Sequence, residues 1–396
     1  MGTISGNTIS FGAPVQANNG YSSYHDACYH AASGKIVYVY RDDGNSDYAK
    51  CMIGTVSGTS ISFGSETTFD GSNSCDRPAV CYDANAERFV IVWGRNSSNY
   101  IGKAVVGNVS GTTPTFGTIA TFDSGRVYGK DIVYDANQQQ VVVYYVDNTS
   151  GNVGHAIVGT VAANGSDISF FQNQVQFEAD EVESISIHAV YDSVNQKTVC
   201  VYNDDSNNGM AVVGTISGSG SSRQISFGTP QIFNSGSTSQ IAAEYDPDSQ
   251  KVIIVYQNGT FKEAEVTGTT FTFGPEQSFA TFASEYPAMA YDTEENKMVI
   301  AVKNPSASGI GSAVMVAGQQ VSTNLTTENY IGIAAESISD GQTGKVNIIG
   351  GVNSGQTGLT TAQTYYVQND GSLGLVAGSP SVVAGTSISS TEILVR

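Results

Sequence analysis

Basic residues are scarce. The 396-residue chain carries 36 Asp and Glu against 17 Lys and Arg, a formal net charge of −19. Nucleic-acid binding needs a basic surface to neutralise phosphates, so the charge argues against DNA and RNA as partners and disfavours anionic membranes. Only four histidines occur, His25, His30, His155 and His188, with no HExxH and no ligand spacing beside a Cys or carboxylate. No metal is therefore expected. The five cysteines are odd in number and form no CxxC, which argues against a disulfide scaffold or a zinc site. A single tryptophan, Trp93, cannot supply the aspartate boxes of six-bladed sialidases. GxSxG and P-loop motifs are missing, and the nearest approach to a calcium loop is the weak DDGNSDY at 42–48. No apolar run is long enough to span a bilayer, and no stretch sustains a helical period. The opening from Met1 shows neither a charged nor an apolar leader segment, so no signal peptide is expected. These absences lead to an expectation of no enzyme, no cofactor and no membrane insertion.

What is present is glycine, 44 residues of it, with abundant aromatic and β-branched residues. One unit spans residues 78–122 and reads as four short strands: AVCY, FVIVW, KAVVGNV and TFGTIATF. Polar, turn-forming segments such as DANAER and GRNSSNYIG separate them. The unit recurs. Its first-strand tyrosine appears as Tyr29, Tyr82, Tyr134, Tyr191, Tyr245 and Tyr291, and its fourth-strand phenylalanine as Phe11, Phe63, Phe116, Phe170, Phe227 and Phe273. The spacing is 46 to 57 residues, the period of a β-propeller blade. Cys28 and Cys81 hold the same site in adjacent repeats, so they read as packing residues.

Residues 1–16 match the end of a third strand and a whole fourth strand, while the last repeat stops after SAVMVAG without an ISFG. The surplus at one end matches the deficit at the other. The expected fold is therefore all-β: a six-bladed β-propeller over 1–318, closed by the N-terminal strand, then a linker at 319–329 and a small C-terminal β module at 330–396. In this reading the N-terminal strand pairs with 312–316 and buries Ile9, Phe11 and Val15.

Five first strands end in Tyr-Asp, at Asp83, Asp135, Asp192, Asp246 and Asp292. A ring of metal ligands and a set of Asx-turns are both open to such a pattern. The constant strand-to-turn position favours the turns. The variable loops fall on one face of the expected disc, where function concentrates. That face offers Tyr21, Tyr24, Tyr48, Arg77, Arg95, Tyr100, Arg126 and Tyr128, and aromatics beside amides suit sugar contacts.

The repeat wording, YD…VVxVY…GxAxVGTVSGTSISFG, resembles propeller repeats of tail-fibre-like virion proteins from phages of marine and freshwater bacteria. The C-terminal stretch from ENYIGIAAESIS to TEILV looks like the terminal module of the same proteins. The resemblance covers nearly the whole chain. It implies a structural or adhesive protein of a virion appendage or extracellular fibre, placed on a virion or extracellular surface and assembling as a homo-oligomer with fibre neighbours. It brings no catalytic residues. A lectin-like receptor-binding protein for host-cell glycan is the alternative, and a propeller glycosidase stands third.

Overall fold

The computed structural model describes residues 1–5, 8–96, 100–257, 259–282, 284–305, 310–316, 330–336, 343–368, 373–377 and 381–396. The chain divides into two compact units, Met1–Gly318 and Gln319–Arg396. The expected linker at 319–329 lies outside the described residues. Strands dominate, and no described helix is long and apolar enough to cross a membrane.

The first unit is a succession of antiparallel sheets. Sheet 1 runs Ser22–His30, Lys35–Asp42, Tyr48–Ser57 and Ser60–Phe63, in that order. Sheet 2 repeats it with Ser74–Asp83, Arg88–Asn96, Ile101–Ser110 and Thr113–Phe116. Sheet 3 takes the end of Ala120–Asp135, then Gln140–Asp147, Val153–Val161 and the start of Ile168–Asp192. Sheet 4 takes the end of that long strand, then Lys197–Asp204, Gly209–Ser217 and Gln224–Phe227. Sheet 5 is Ala242–Asp246, Lys251–Tyr256, Thr260–Thr267 and Thr270–Phe273. Sheet 6 has three strands, Glu285–Asp292, Lys297–Asn304 and Ile310–Val316.

The second strands of sheets 2 to 5 are apolar on both faces because they are covered on both, whereas that of sheet 6 buries Met298, Ile300 and Val302 and leaves Ala301 and Lys303 exposed. In Gln140–Asp147 all eight residues are buried. Val141, Val143 and Tyr145 pack towards Val90 and Val92 of sheet 2, while Val142, Tyr144 and Val146 pack towards Cys200 and Tyr202 of sheet 4. Val37 and Val39 meet Phe89, Ile91 and Trp93 in the same way. Val199 and Val201 meet Val252 and Ile254, and Ile253 and Val255 meet Met298 and Ile300. Five clusters thus join sheets 1 to 6 face to face. Unlike a sheet with one wet side, these middle strands cannot alternate polar with apolar residues. The five cysteines are free thiols packed into these layers, and burial pushes the pKa of each one up.

The repeated tyrosine ties neighbouring sheets. Tyr82 Oη accepts the Ala32 N–H at 3.2 Å, Tyr134 Oη that of Asn85 at 3.2 Å, and Tyr191 Oη that of Asn137 at 3.1 Å. The following aspartates build Asx-turns. Asp83 Oδ1 accepts from Asn85 and Ala86, Asp192 Oδ1 from Val194 and Asn195, and Asp292 Oδ1 from Glu294 and Glu295, all at 2.9–3.0 Å. No described group of three or more acidic, His or Cys side chains could hold a metal ion.

The N-terminus departs from expectation. Thr8–Phe11 pairs with Gly2–Ser5, in the register Gly2 to Phe11, and not with 312–316. The chain brings its own partner strand, so the hairpin satisfies its hydrogen bonds internally. Phe11 and Val15 are exposed at 63% and 43%, where burial was expected, and only Ile9 is half-buried. The reason lies under the Phe11 ring: Ala288, Ala301, Gly311 and Ala313 are too small to enclose it.

The second unit pairs Gly332–Ala334 with Val346–Ile348, and places Thr364–Val367, Val383–Ser387 and Ile393–Val395 in a separate sheet. Its core is modest: Leu359, Tyr365, Val367, Val382, Ala384 and Ile393.

Candidate functional site

The first strands of successive sheets lie side by side. Asp26 Oδ2 accepts the Val80 N–H and Asp131 Oδ2 the Ala189 N–H, both at 2.8 Å across a sheet boundary. The entry to these strands and the second-to-third-strand loops share one face, because the backbone stitches them together. Asp47 O accepts from Cys75 N, Tyr100 O from Val127 N, Asn152 O from Val182 N and Asn207 O from Thr238 N, at 2.8–3.1 Å.

A repeated local distortion marks this face. Five residues before the repeat tyrosine stand Tyr24, Arg77, Gln240 and Tyr286, with φ of 53°, 41°, 52° and 50°. Strand pairing slips beside Tyr24, Arg77 and Tyr286. A β-bulge re-aims a side chain, and a left-handed non-glycine residue costs about 1–3 kcal/mol of strain. Such strain recurring at one rim position points to function.

The side chains so presented meet cations. At the seam of sheets 1 and 2, the Arg41 guanidinium lies 4.6 Å and that of Arg77 5.0 Å from the Tyr24 ring centroid. At the next seam Arg126 lies 5.2 Å from Tyr100 and 4.9 Å from Tyr128, and the two rings are 5.6 Å apart. At the seam of sheets 5 and 6 Lys303 Nζ is 5.4 Å from the Tyr286 ring, and Gln240 Oε1 accepts the Tyr286 N–H at 2.6 Å. Aromatic rings flanked by such donors offer a flat apolar face and a polar edge together.

The neighbouring carboxylates are held by cations. Asp43 meets Arg41 at 2.5 Å, and Glu285 meets Lys303 at 2.6 Å. Lys130, wholly buried, donates to Asp76 O at 3.1 Å and Arg77 O at 3.4 Å, and so fixes the bulge that carries Arg77. Burial pushes its pKa down, with the Asp76 carboxylate opposing.

Of the residues expected here, the fold gathers Tyr24 with Arg77, and Tyr100 with Arg126 and Tyr128. Tyr21 stands 84% exposed, and Tyr48 opens its strand opposite Asp42. Arg95 is committed elsewhere: its Nε sits 2.5 Å from Asp70 Oδ2, beside the Trp93 indole. The sequence reading missed Arg41, Gln240, Tyr286 and Lys303. Aligning the repeats on their tyrosine would have exposed the column that holds Tyr24, Arg77, Gln240 and Tyr286.

Between the first strands stand Asp26, Asp131, Glu244 and His188. Burial, then the Asp131 charge, pushes Asp26 up to about 7; burial takes Asp131 to about 6 and Glu244 to about 7. Burial pushes His188 down to about 4. The raised carboxylates hold protons in the folded state that the unfolded chain releases above its ordinary carboxylate range. Their stabilisation is complete below that range and lost as pH rises through 6–7. His188 acts in the opposite sense, as do His30 and His155, which burial also pushes down, from about their unfolded pKa of 6.5 downwards. From pH 8 to 6.5 the carboxylates still outweigh the histidines, and the melting temperature is expected to rise by about 1 °C. Asp26→Asn should reduce that rise. Calorimetry at both pH values checks it, and a flat or inverted profile for the wild type would count against the assignment.

No protein-family model and no curated protein sequence matches the chain. Solved structures do. A protein of unknown function from Dyadobacter fermentans matches with a TM-score of 0.51 at 10% identity, over 74% of this chain and 93% of that one. A triple arginine-to-alanine mutant of AofleA from Arthrobotrys oligospora matches with a TM-score of 0.50 at 8% identity, over 74% and 83%. The Aleuria aurantia lectin AAL, solved in complex with Fucalpha1-6GlcNAc, gives 0.49 at 14% identity, over 75% and 93%. The first two likenesses are of fold alone and agree with the β-propeller class read from the repeats.

Proposed function

We propose that the first unit is a six-bladed β-propeller completed by its N-terminal hairpin, and that it binds glycan through its loop face without catalysing a reaction. The observation that carries the binding reading is the recurrence of one device at three seams: an aromatic ring with a cation against it, served at two of them by a residue in a left-handed bulge. Tyrosine supplies a large, rigid contact surface at low entropic cost. Repeated shallow sites gain avidity on a polymer that presents the same sugar many times. The carboxylates at these seams are engaged by Arg and Lys, which suits recognition better than acid–base work.

The test is a glycan array on the full chain, followed by Tyr24→Ala, Tyr100→Ala and Tyr128→Ala in one protein. Binding should fall by roughly tenfold or more, about 1.4 kcal/mol, with the melting temperature held. An array that stays blank would sink the glycan reading. Release of reducing sugar from a bound polysaccharide would refute the absence of catalysis.

A second reading is favoured by the surface of the C-terminal unit. Ile331, Ile348, Ile349 and Val376 are 64–78% exposed on a unit with a small core. Exposed apolar residues gathered on so small a unit suit an interface. This supports an appendage protein of a virion or extracellular fibre that self-associates through residues 330–396. Light scattering should find the wild type oligomeric and the Ile348→Ser, Ile349→Ser double variant monomeric. A monomeric wild type would remove this reading.

A further inference from the structure

In sheets 2, 3 and 4 a glycine near the start of the third strand lies beneath an aromatic ring. A Cβ on Gly102 would stand 2.6 Å from Phe122; on Gly154 or Gly209 it would collide with Phe177 or Phe233. Strand register puts Gly311 in the same place. Gly311 pairs with Lys303 as Gly102 pairs with Gly94, Gly154 with Val146 and Gly209 with Asn203. Beyond Gly311 a Cβ would meet nothing within 4 Å. An open depression of about 350 Å³ lies there, lined by Ala288, Ala301, Ala313, Phe11 and Tyr286. The ring that covers the glycine in sheets 2 and 4 comes six residues after the fourth-strand phenylalanine, and the corresponding residue after Phe11 is Ala17.

We infer that this slot is a monosaccharide site that takes one uncharged pyranose ring. The inference rests on the glycan reading above and adds to it a location and a ligand class. A pyranose has an apolar C–H face and a hydroxyl edge, and the slot matches both. The alanines and the Phe11 and Tyr286 rings form the apolar part. Tyr286 is 70% exposed, and its left-handed bulge holds it beside the Lys303–Glu285 ion pair, which supplies a donor and an acceptor. A purely aromatic occupant would make no use of that pair. An anionic sugar would meet a lysine already neutralised and a protein of net charge −19. The size falls at the lower end of small-molecule pockets, as a single ring requires.

The experiment titrates the full chain with the methyl glycosides of glucose, galactose and mannose by ligand-observed NMR. At least one should bind saturably. Ala301→Phe, which fills the slot from its floor, should weaken that binding by roughly tenfold or more, as should Tyr286→Ala. Should Ala301→Phe fail to fold, Ala17→Phe fills the slot from the position the other repeats use. Unchanged affinity in a folded, filled variant overturns the site. If no glycoside binds while the glycan array is positive, this site is lost and the glycan reading stands. If both are blank, both fall. A changed oligomeric state in the filled variant, without glycoside binding, would give the slot to a side chain of a second copy and overturn the inference.

Discussion

Deleting residues 2–16 is expected to make the protein aggregate. The reason is where the N-terminal segment sits on sheet 1. Gly12 lies so close to Thr59 that a Cβ would overlap its carbonyl oxygen. Gly64 stands so to Thr112, Gly117 to Ser166 and Gly228 to Thr269. Gly12 N donates to Met1 O at 2.9 Å, as Gly64 N does to Ile53 O and Gly117 N to Val106 O. Asn18 Nδ2 reaches Tyr40 Oη at 3.3 Å, while Asp70 accepts from Trp93 and Asp123 from Tyr145 at the seams that follow. Gly12 and Asn18 therefore dock this segment on sheet 1 as each sheet's outer strand docks on the next. Loss of the segment bares the apolar surface it covers on sheet 1, which recruits other chains. Gly12→Val should cost about 1–3 kcal/mol through the Thr59 clash. Phe11→Ala, at an exposed ring, should stay within about 0.5 kcal/mol. Sedimentation and thermal melts decide: a truncated protein that is monomeric with wild-type stability would show the hairpin to be dispensable.

Asp70→Ala should be among the most destabilising single changes in the molecule, by about 3–5 kcal/mol. Asp70 is 4% exposed and accepts from Trp93 Nε1 at 3.1 Å, Arg95 Nε at 2.5 Å and Ser72 Oγ at 2.6 Å. Removing it leaves a fully buried indole N–H and a partly buried guanidinium without their acceptor. Asp70→Asn keeps an acceptor oxygen and loses the charge, so it should cost about half as much. Urea titration followed by the fluorescence of Trp93, the single tryptophan, reads both variants. A loss under about 1 kcal/mol for the alanine variant would mean that water or a neighbour replaces the carboxylate.

The strand content, the repeat boundaries and the Asx-turns were legible because each follows from residues near one another in the chain. AVCYD, FVIVW and KAVVG state their own conformation, and an aspartate before a turn needs only the next three N–H groups. The candidate face was half legible. Tyr24, Tyr100 and Tyr128 stood out as loop aromatics. Arg41 and Lys303 did not, because they sit within or at the end of second strands and meet tyrosines 17 residues away in each case. Arg95 looked as free as Arg126, yet one is spent on a buried carboxylate and the other rests on two rings.

Sequence alone, then, determined the all-β character and the repeat, because periodicity is a sum over local choices. Only the tertiary structure decided how the N-terminal strand pairs, which arginines remain for a ligand, and that Gly311 lacks the ring that covers its counterparts. Each of these depends on what arrives from a neighbouring sheet about fifty residues away, a period that repeats in the chain without stating its contacts.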